Sequence, residues 1–167
     1  MQRSIIKRGN PLLEKVCKPV DNIDQVREII SDLSDTLAEI RKLYDFKRGH
    51  GVAAPQIAHL VRINIVEYGE ARHVLINPEI VEHSPEKIPI REGCLSFFDY
   101  RGNVPRYKSV TINALNEKGL PFTITASDEF AMLLQHEIDH LDGILYVQRL
   151  PEAEKNLYFV KGMPEIP

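Results

Sequence analysis

His136, Glu137 and His140 spell His-Glu-x-x-His within the run Gln135 to Gly143. On an α-helix, residues four apart lie about 40° apart around the axis and one turn apart along it, so both imidazoles can reach one metal ion. Glu137 falls beside them. A carboxylate there can hydrogen-bond a coordinated water and take its proton, which is general-base work. Histidine pairs at this spacing are common by chance and most bind nothing. A glutamate between them on an apolar helix argues otherwise, because burying a carboxylate without a partner carries a heavy desolvation penalty. A third ligand is available upstream, where Glu92-Gly93-Cys94-Leu95-Ser96 sets a thiol between a glycine and a leucine. Two imidazoles and one thiolate leave a fourth position open, as in a catalytic site and unlike a closed structural one.

These side chains need elements to hold them. Phe130, Leu133 and Leu134 supply the apolar face of a buried helix carrying the histidines. Thr125 or Ser127 is placed to cap it, Asp128 and Glu129 favour its positive end, and Gly143 stops it. A long scaffold helix is expected from Ile23 to about Tyr44, capped by Asp21 or Asn22, with Val26, Ile29, Ile30, Leu33, Leu37, Ile40 and Leu43 at helical spacing. Between that helix and the first clear strand runs Gly49-His50-Gly51-Val52-Ala53-Ala54-Pro55-Gln56-Ile57. Its small side chains allow close approach of a ligand or another backbone. It is not a phosphate loop, since it lacks the Lys-Ser/Thr ending and a preceding strand.

Strands are expected over Arg62 to Tyr68, His73 to Ile76 and Glu79 to His83, with a turn at Gly69-Glu70. Pro85 and Pro89 bracket a loop, and Val110 to Leu115 forms a hairpin with Pro121 to Thr125. After the metal helix, Leu145-Tyr146-Val147 reads as extended, followed by a charged, proline-bearing tail that frays.

The whole chain is 167 residues, 43% hydrophobic and 27% charged, with net charge −3. One soluble domain spanning residues 1–167 fits that size. No basic run suggests nucleic acid or acidic lipid as a partner, and neither a secretory core nor a membrane span is present. A cytoplasmic location is therefore expected. In a reducing compartment Cys17 and Cys94 are not expected to pair, and Cys17 reads as a small buried hydrophobe.

Three motifs now stand in order: Gly49 to Gln56, Glu92-Gly93-Cys94-Leu95-Ser96, and Gln135-His136-Glu137-Ile138-Asp139-His140. Together they closely resemble the signature of the peptide deformylases, with similarity running from Arg8-Gly9-Asn10-Pro11 through Leu150. The resemblance implies an α+β fold with antiparallel sheets around a central metal-binding helix and a long N-terminal helix. It also implies hydrolysis of an N-formyl group, usually from the starting methionine of new polypeptides, giving formate and a free amine. Cys94, His136 and His140 match the family's metal ligands, for one divalent ion that is often Fe2+, with Zn2+, Ni2+ or Co2+ as substitutes. Glu137 matches the acid/base, and the Gln56 side chain and the Leu95 backbone N–H match the oxyanion donors. Gly51, Glu92 and Gly93 match the backbone that binds the substrate main chain, and Arg101 stands near its far end. Glu92 and Arg106 either pair behind the Cys94 loop or sit as solvated charges. The substrate side chain would meet His50, Glu129, Met132 and Leu133. Transient contact with the ribosome fits such a substrate.

Three positions depart from the family pattern. His50 stands where relatives carry a small or aliphatic residue, Glu129 where a large apolar one is expected, and Phe97-Phe98 where an aliphatic-proline pair is common. Either Glu129 turns to solvent near its helix N-terminus, or His50 and Glu129 make the side-chain pocket polar and favour a formylated amine or peptide other than formyl-methionine. Two other classes compete: a zinc peptidase of the His-Glu-x-x-His type, against which Cys94 and the Gln56 segment argue, and a non-catalytic binding protein, against which Glu137 argues.

Overall fold

The computed structural model describes residues 1–46, 49–151, 158–160, 163, 165 and 166. Among the described residues, two antiparallel sheets and two α-helices make up the fold. The larger sheet has the order β1-β2-β3-β6-β7, from His50–Ala53, Ile63–Tyr68, Ala71–His83, Ser109–Leu115 and Pro121–Ser127. The smaller has the order β4-β5-β8, from Lys87–Cys94, Phe97–Tyr107 and Tyr158–Phe159. Helix α1 (Arg27–Leu43) packs on β1 and β2, while α2 (Asp128–Leu141) lies between β1, β2, β6 and β7 on one side and β5 on the other. Eleven consecutive residues of α2, Ala131 to Leu141, are buried. A helix covered all round is what an expected central metal helix requires. Among the described residues, no helix is long and apolar enough to cross a membrane.

Several local expectations need correction. The first helix starts as a 3-10 turn over Ile23–Val26, capped by the Asn22 side chain on the Asp24 N–H, before α1 proper begins at Arg27. Leu43, at its end, is exposed. The small-residue segment contains a strand: Gly51, Val52 and Ala53 pair with Val66, Ile65 and Asn64 of β2, and Ala54–Ile57 follows as a 3-10 turn. The two strands expected on either side of Asn77 are one irregular strand, β3. Asn77 takes φ +50 and its side chain brackets Val20, accepting from its N–H at 2.8 Å and donating to its carbonyl at 2.9 Å.

Pro89 does not mark a loop, for it sits in β4 opposite Pro105 of β5. Proline lacks the donor for a ladder but is tolerated on an edge, and β4 is an edge strand. The expected loop thus overlaps the start of an eight-residue strand, β4. Ser127 is the N-cap residue of α2, yet neither it nor Thr125 caps through its side chain; the Asp128 N–H is instead satisfied by the Lys108 carbonyl at 2.7 Å. Gly143, at φ +71, does end the helix region. Tyr146–Arg149 is a 3-10 turn where an extended piece was expected. The charged segment Glu152 to Leu157 expected to fray lies outside the described residues.

Candidate metal centre and catalytic cleft

Cys94 ends β4, at the irregular turn into β5, and His136 and His140 face it from α2. All three are buried, and their ligand atoms lie within 4.8 Å of one another. The Cys94 Sγ is 3.3 Å from His140 Nε2. His136 Nδ1 is 2.8 Å from Glu92 Oε2, which leaves Nε2 as the ring atom available to an ion. A thiolate and two imidazoles brought together in the interior suit a divalent transition metal. The chemistry of this donor set therefore fits the implied metal.

Glu137 is buried beside this cluster, and its Oε2 has no hydrogen-bond partner among the described residues. Burial pushes its carboxyl up to about 7; Glu92 adds to that and His136 opposes it. A carboxyl poised near neutrality is suited to taking and returning a proton. Gly51 explains how the carboxylate fits: a Cβ on this residue would lie 2.6 Å from Glu137 Oε1.

A buried network holds the cluster from behind. Glu92 accepts from Arg106 Nε at 2.6 Å and Nη2 at 3.0 Å, while Arg106 Nη1 reaches Asp139 Oδ2 at 2.5 Å. Arg149 clasps the same Asp139 with two bonds of 2.6 Å. Burial alone would raise the Glu92 pKa, but hydrogen bonds from His136 and Arg106 hold it below the ordinary carboxylate range. The Glu92–Arg106 alternative is thereby decided in favour of the pair, and both side chains are essentially inaccessible.

Gln56 sits on the opposite wall. Its Oε1 accepts from the Ala53 N–H at 2.9 Å, and its Nε2 points at the cluster, 3.6 Å from Cys94 Sγ and 3.2 Å from Ser96 Oγ. One end is thus pinned and the other is a fixed donor.

A sequence-family comparison decides what this arrangement is. Residues 2–156 match the model of the polypeptide deformylase family. The chain belongs to that family. Among relatives, "Peptide deformylase 2" of Clostridium perfringens is 43% identical over 152 residues, covering 90% of this chain and 94% of that one. A peptide deformylase of Heliobacterium modesticaldum is 43% identical, covering 87% and 92%. The crystal structure of a peptide deformylase from Legionella pneumophila superposes with a TM-score of 0.83 at 34% identity, covering 93% of this chain and 89% of that one. One from Synechococcus elongatus, in complex with actinonin, gives 0.80 at 28% identity, covering 90% and 79%.

The deformylase cleft, about 490 Å³, opens over the cluster. His50, Gly51, Gly93, Leu95, Arg101, Met132 and Leu133 all border it. Arg101 folds over Gly93, where a Cβ would meet its guanidinium at 2.6 Å, and over the Phe98 ring at 5.2 Å. Glu92 borders the cleft as well, but its side chain is committed to Arg106 and His136, leaving only its backbone to meet a ligand. Glu129 lies half-buried in the first turn of α2 and is not among the residues bordering the cleft.

Sequence reasoning missed other contributors. Ser96 and Asp139 lay inside quoted motifs without a role, and Arg149 passed as tail charge. Tyr146 stacks on Phe97 at 4.7 Å and approaches the His136 ring at 6.0 Å. Tyr44, Phe46, Val160 and Met163 close the rim. Nothing in local spacing could have found the rim, because it is gathered from two stretches more than a hundred residues apart.

Proposed function

We propose that residues 1–167 form a single catalytic domain, a metal-dependent hydrolase that removes the N-formyl group from newly made polypeptides and releases formate. The observation that carries this reading is the enclosed Glu137 carboxylate, with an unpartnered oxygen, beside the Cys94, His136 and His140 cluster. Cys94 Sγ, His136 Nε2 and His140 would hold the ion. Bound there, a divalent metal lowers the pKa of water and polarises a carbonyl. Fe2+ is the first choice, with Zn2+, Ni2+ and Co2+ as ions the same donors accept.

The chain's own groups supply the rest. Glu137 takes a proton from the attacking water and later delivers it to the departing amine nitrogen. As negative charge grows on the formyl oxygen, Gln56 Nε2 and the Leu95 backbone N–H donate to it, each worth about 3 kcal/mol of barrier. The pinned Oε1 of Gln56 means that donor needs no reorganisation. The backbones of Gly51 and Gly93 border the cleft and suit an extended peptide lying alongside. A formyl carbon bears only hydrogen, so the tight approach of Gly51 to Glu137 admits it and hinders bulkier acyl groups. A substrate of this kind emerges from the ribosome, which places the enzyme in the cytoplasm with transient ribosome contact.

The test is formate release from formyl-Met-Ala-Ser by protein prepared anaerobically with Fe2+, with metal content measured on the same sample. Formate release that disappears in Glu137→Gln supports the reading. Cleavage of internal peptide bonds without formate would instead indicate a peptidase.

A further inference from the structure

Arg149 ends the turn that follows α2, and it is the outermost of four charges set in a line. Its Nε and Nη2 each donate at 2.6 Å to Asp139, which also accepts from Arg106 Nη1 at 2.5 Å. Arg106 then holds Glu92 through Nε at 2.6 Å and Nη2 at 3.0 Å, and Glu92 Oε2 faces His136 Nδ1 at 2.8 Å. The signs alternate from solvent to metal ligand, two cations against two anions, so each buried charge is paired. Of the four, Arg149 alone meets water appreciably: its side chain is 41% exposed, against 7% for Asp139, 2% for Arg106 and 0% for Glu92.

The backbone accounts for its place. Gly143, at φ +71, turns the chain back at the end of α2, and the Tyr146–Arg149 turn then lies along the cluster, with Tyr146 stacked on Phe97 at 4.7 Å. Arg149 thereby reaches Asp139, the neighbour of His140 on α2. Asp139 Oδ2 is shared by the two arginines, while Oδ1 takes its bond from Arg149. Without that fork, one guanidinium faces two buried carboxylates. Asp139 then draws on Arg106 alone, and the contact that yields is the longest in the line, Arg106 Nη2 to Glu92 Oε2 at 3.0 Å. Oε2 is the oxygen that aims the His136 ring. Removing a positive charge also favours a nearby divalent ion, but solvent screens a group as exposed as Arg149, so the loss of aim is the larger effect.

We propose that Arg149 is a positioning residue for the metal: by clasping Asp139 it keeps Arg106 on Glu92, and so holds His136 Nε2 toward the ion. The inference rests on the metal reading above and extends it to a side chain that does not border the cleft.

Zn2+ affinity is measured by competition with a chromophoric chelator for the unaltered chain, Arg149→Met, Arg149→Lys, Glu92→Gln and the double variant Glu92→Gln/Arg149→Met. Circular dichroism checks that each folds. Arg149→Met is expected to bind Zn2+ about three- to tenfold more weakly, a smaller loss than that of Glu92→Gln. Arg149→Lys, which keeps the charge and loses the fork, falls between Arg149→Met and the unaltered chain. In the double variant Arg149→Met adds no further loss, because the path through Glu92 is already cut. Arg62→Met, which breaks the Arg62–Asp142 pair at the same end of α2, leaves affinity unchanged. If Arg149→Met fails to fold, the Arg149→Lys value carries the test. Unchanged or tighter binding in the folded Arg149 variants, an equal loss in the Glu92→Gln background, or an equal loss in Arg62→Met overturns the inference while the metal reading stands. No Zn2+ bound by the unaltered chain overturns both.

Discussion

Glu92 Oε2 stands 2.8 Å from His136 Nδ1 and shares its carboxylate with Arg106, so one buried acid orients a metal-binding ring and neutralises an arginine at once. Partners of this kind fix the ring's tautomer and aim, and their loss typically lowers metal affinity about 10- to 100-fold. Glu92→Gln is expected to show that loss in competition with a chelator. Glu92→Ala, which leaves the buried Arg106 only Asp139, a carboxylate it shares with Arg149, should in addition lower stability by roughly 1–3 kcal/mol, measured by urea denaturation.

Glu137→Gln preserves shape and removes the proton acceptor. Turnover should drop on the order of a hundred- to ten-thousandfold. Metal content, read by elemental analysis, should be unchanged, because Glu137 is not among the three clustered ligands.

Two glycines on the cleft predict losses of very different size. Gly51→Ala drives a methyl into the enclosed Glu137 carboxylate, and a displacement of about 1 Å there can cost roughly a hundredfold in kcat. Gly93→Ala meets only the guanidinium end of Arg101, a long side chain that can swing aside. Steady-state kinetics should therefore show a much smaller kcat loss for the second variant.

His73 lies between Phe122 and Phe130, ring centroids 6.3 and 6.2 Å away, and burial lowers its pKa. In the unfolded chain it protonates near 6.5, while the folded chain resists protonation until lower pH. Its contribution to stability is thus present above about pH 6.5 and is lost as pH falls through the folded value. Thermal melts at pH 7.5 and 5.5 should show a larger drop in Tm for the unaltered chain than for His73→Gln.

The metal-site cluster could be read from the sequence because its spacing is local. His136, Glu137 and His140 occupy one face of one helix, and Cys94 sits in a compact motif. What supports them could not be read the same way. Glu92 meets Arg106 only because β4 and β5 pair, and Pro89, inside that ladder, reads in sequence as the edge of a loop. Asp139 meets Arg149 because the chain turns back through the 3-10 turn Tyr146–Arg149, which alternation alone resembled a strand. Glu129 was expected near the substrate from its heptad position before His136, yet the opening of the cleft lies toward Met132 and Leu133, further along the helix.

The three clustered ligands come from two different layers of the molecule: the thiol from the end of a strand in the small sheet, the imidazoles from the helix seated against the large one. An ion gripped by all three acts as a rivet across that seam, so its loss should slacken the β4–β5 ribbon as well as silence the chemistry. Faster amide exchange confined to that ribbon would be the mark of the stripped protein, and oxidation of one sulfur would be enough to unfasten it.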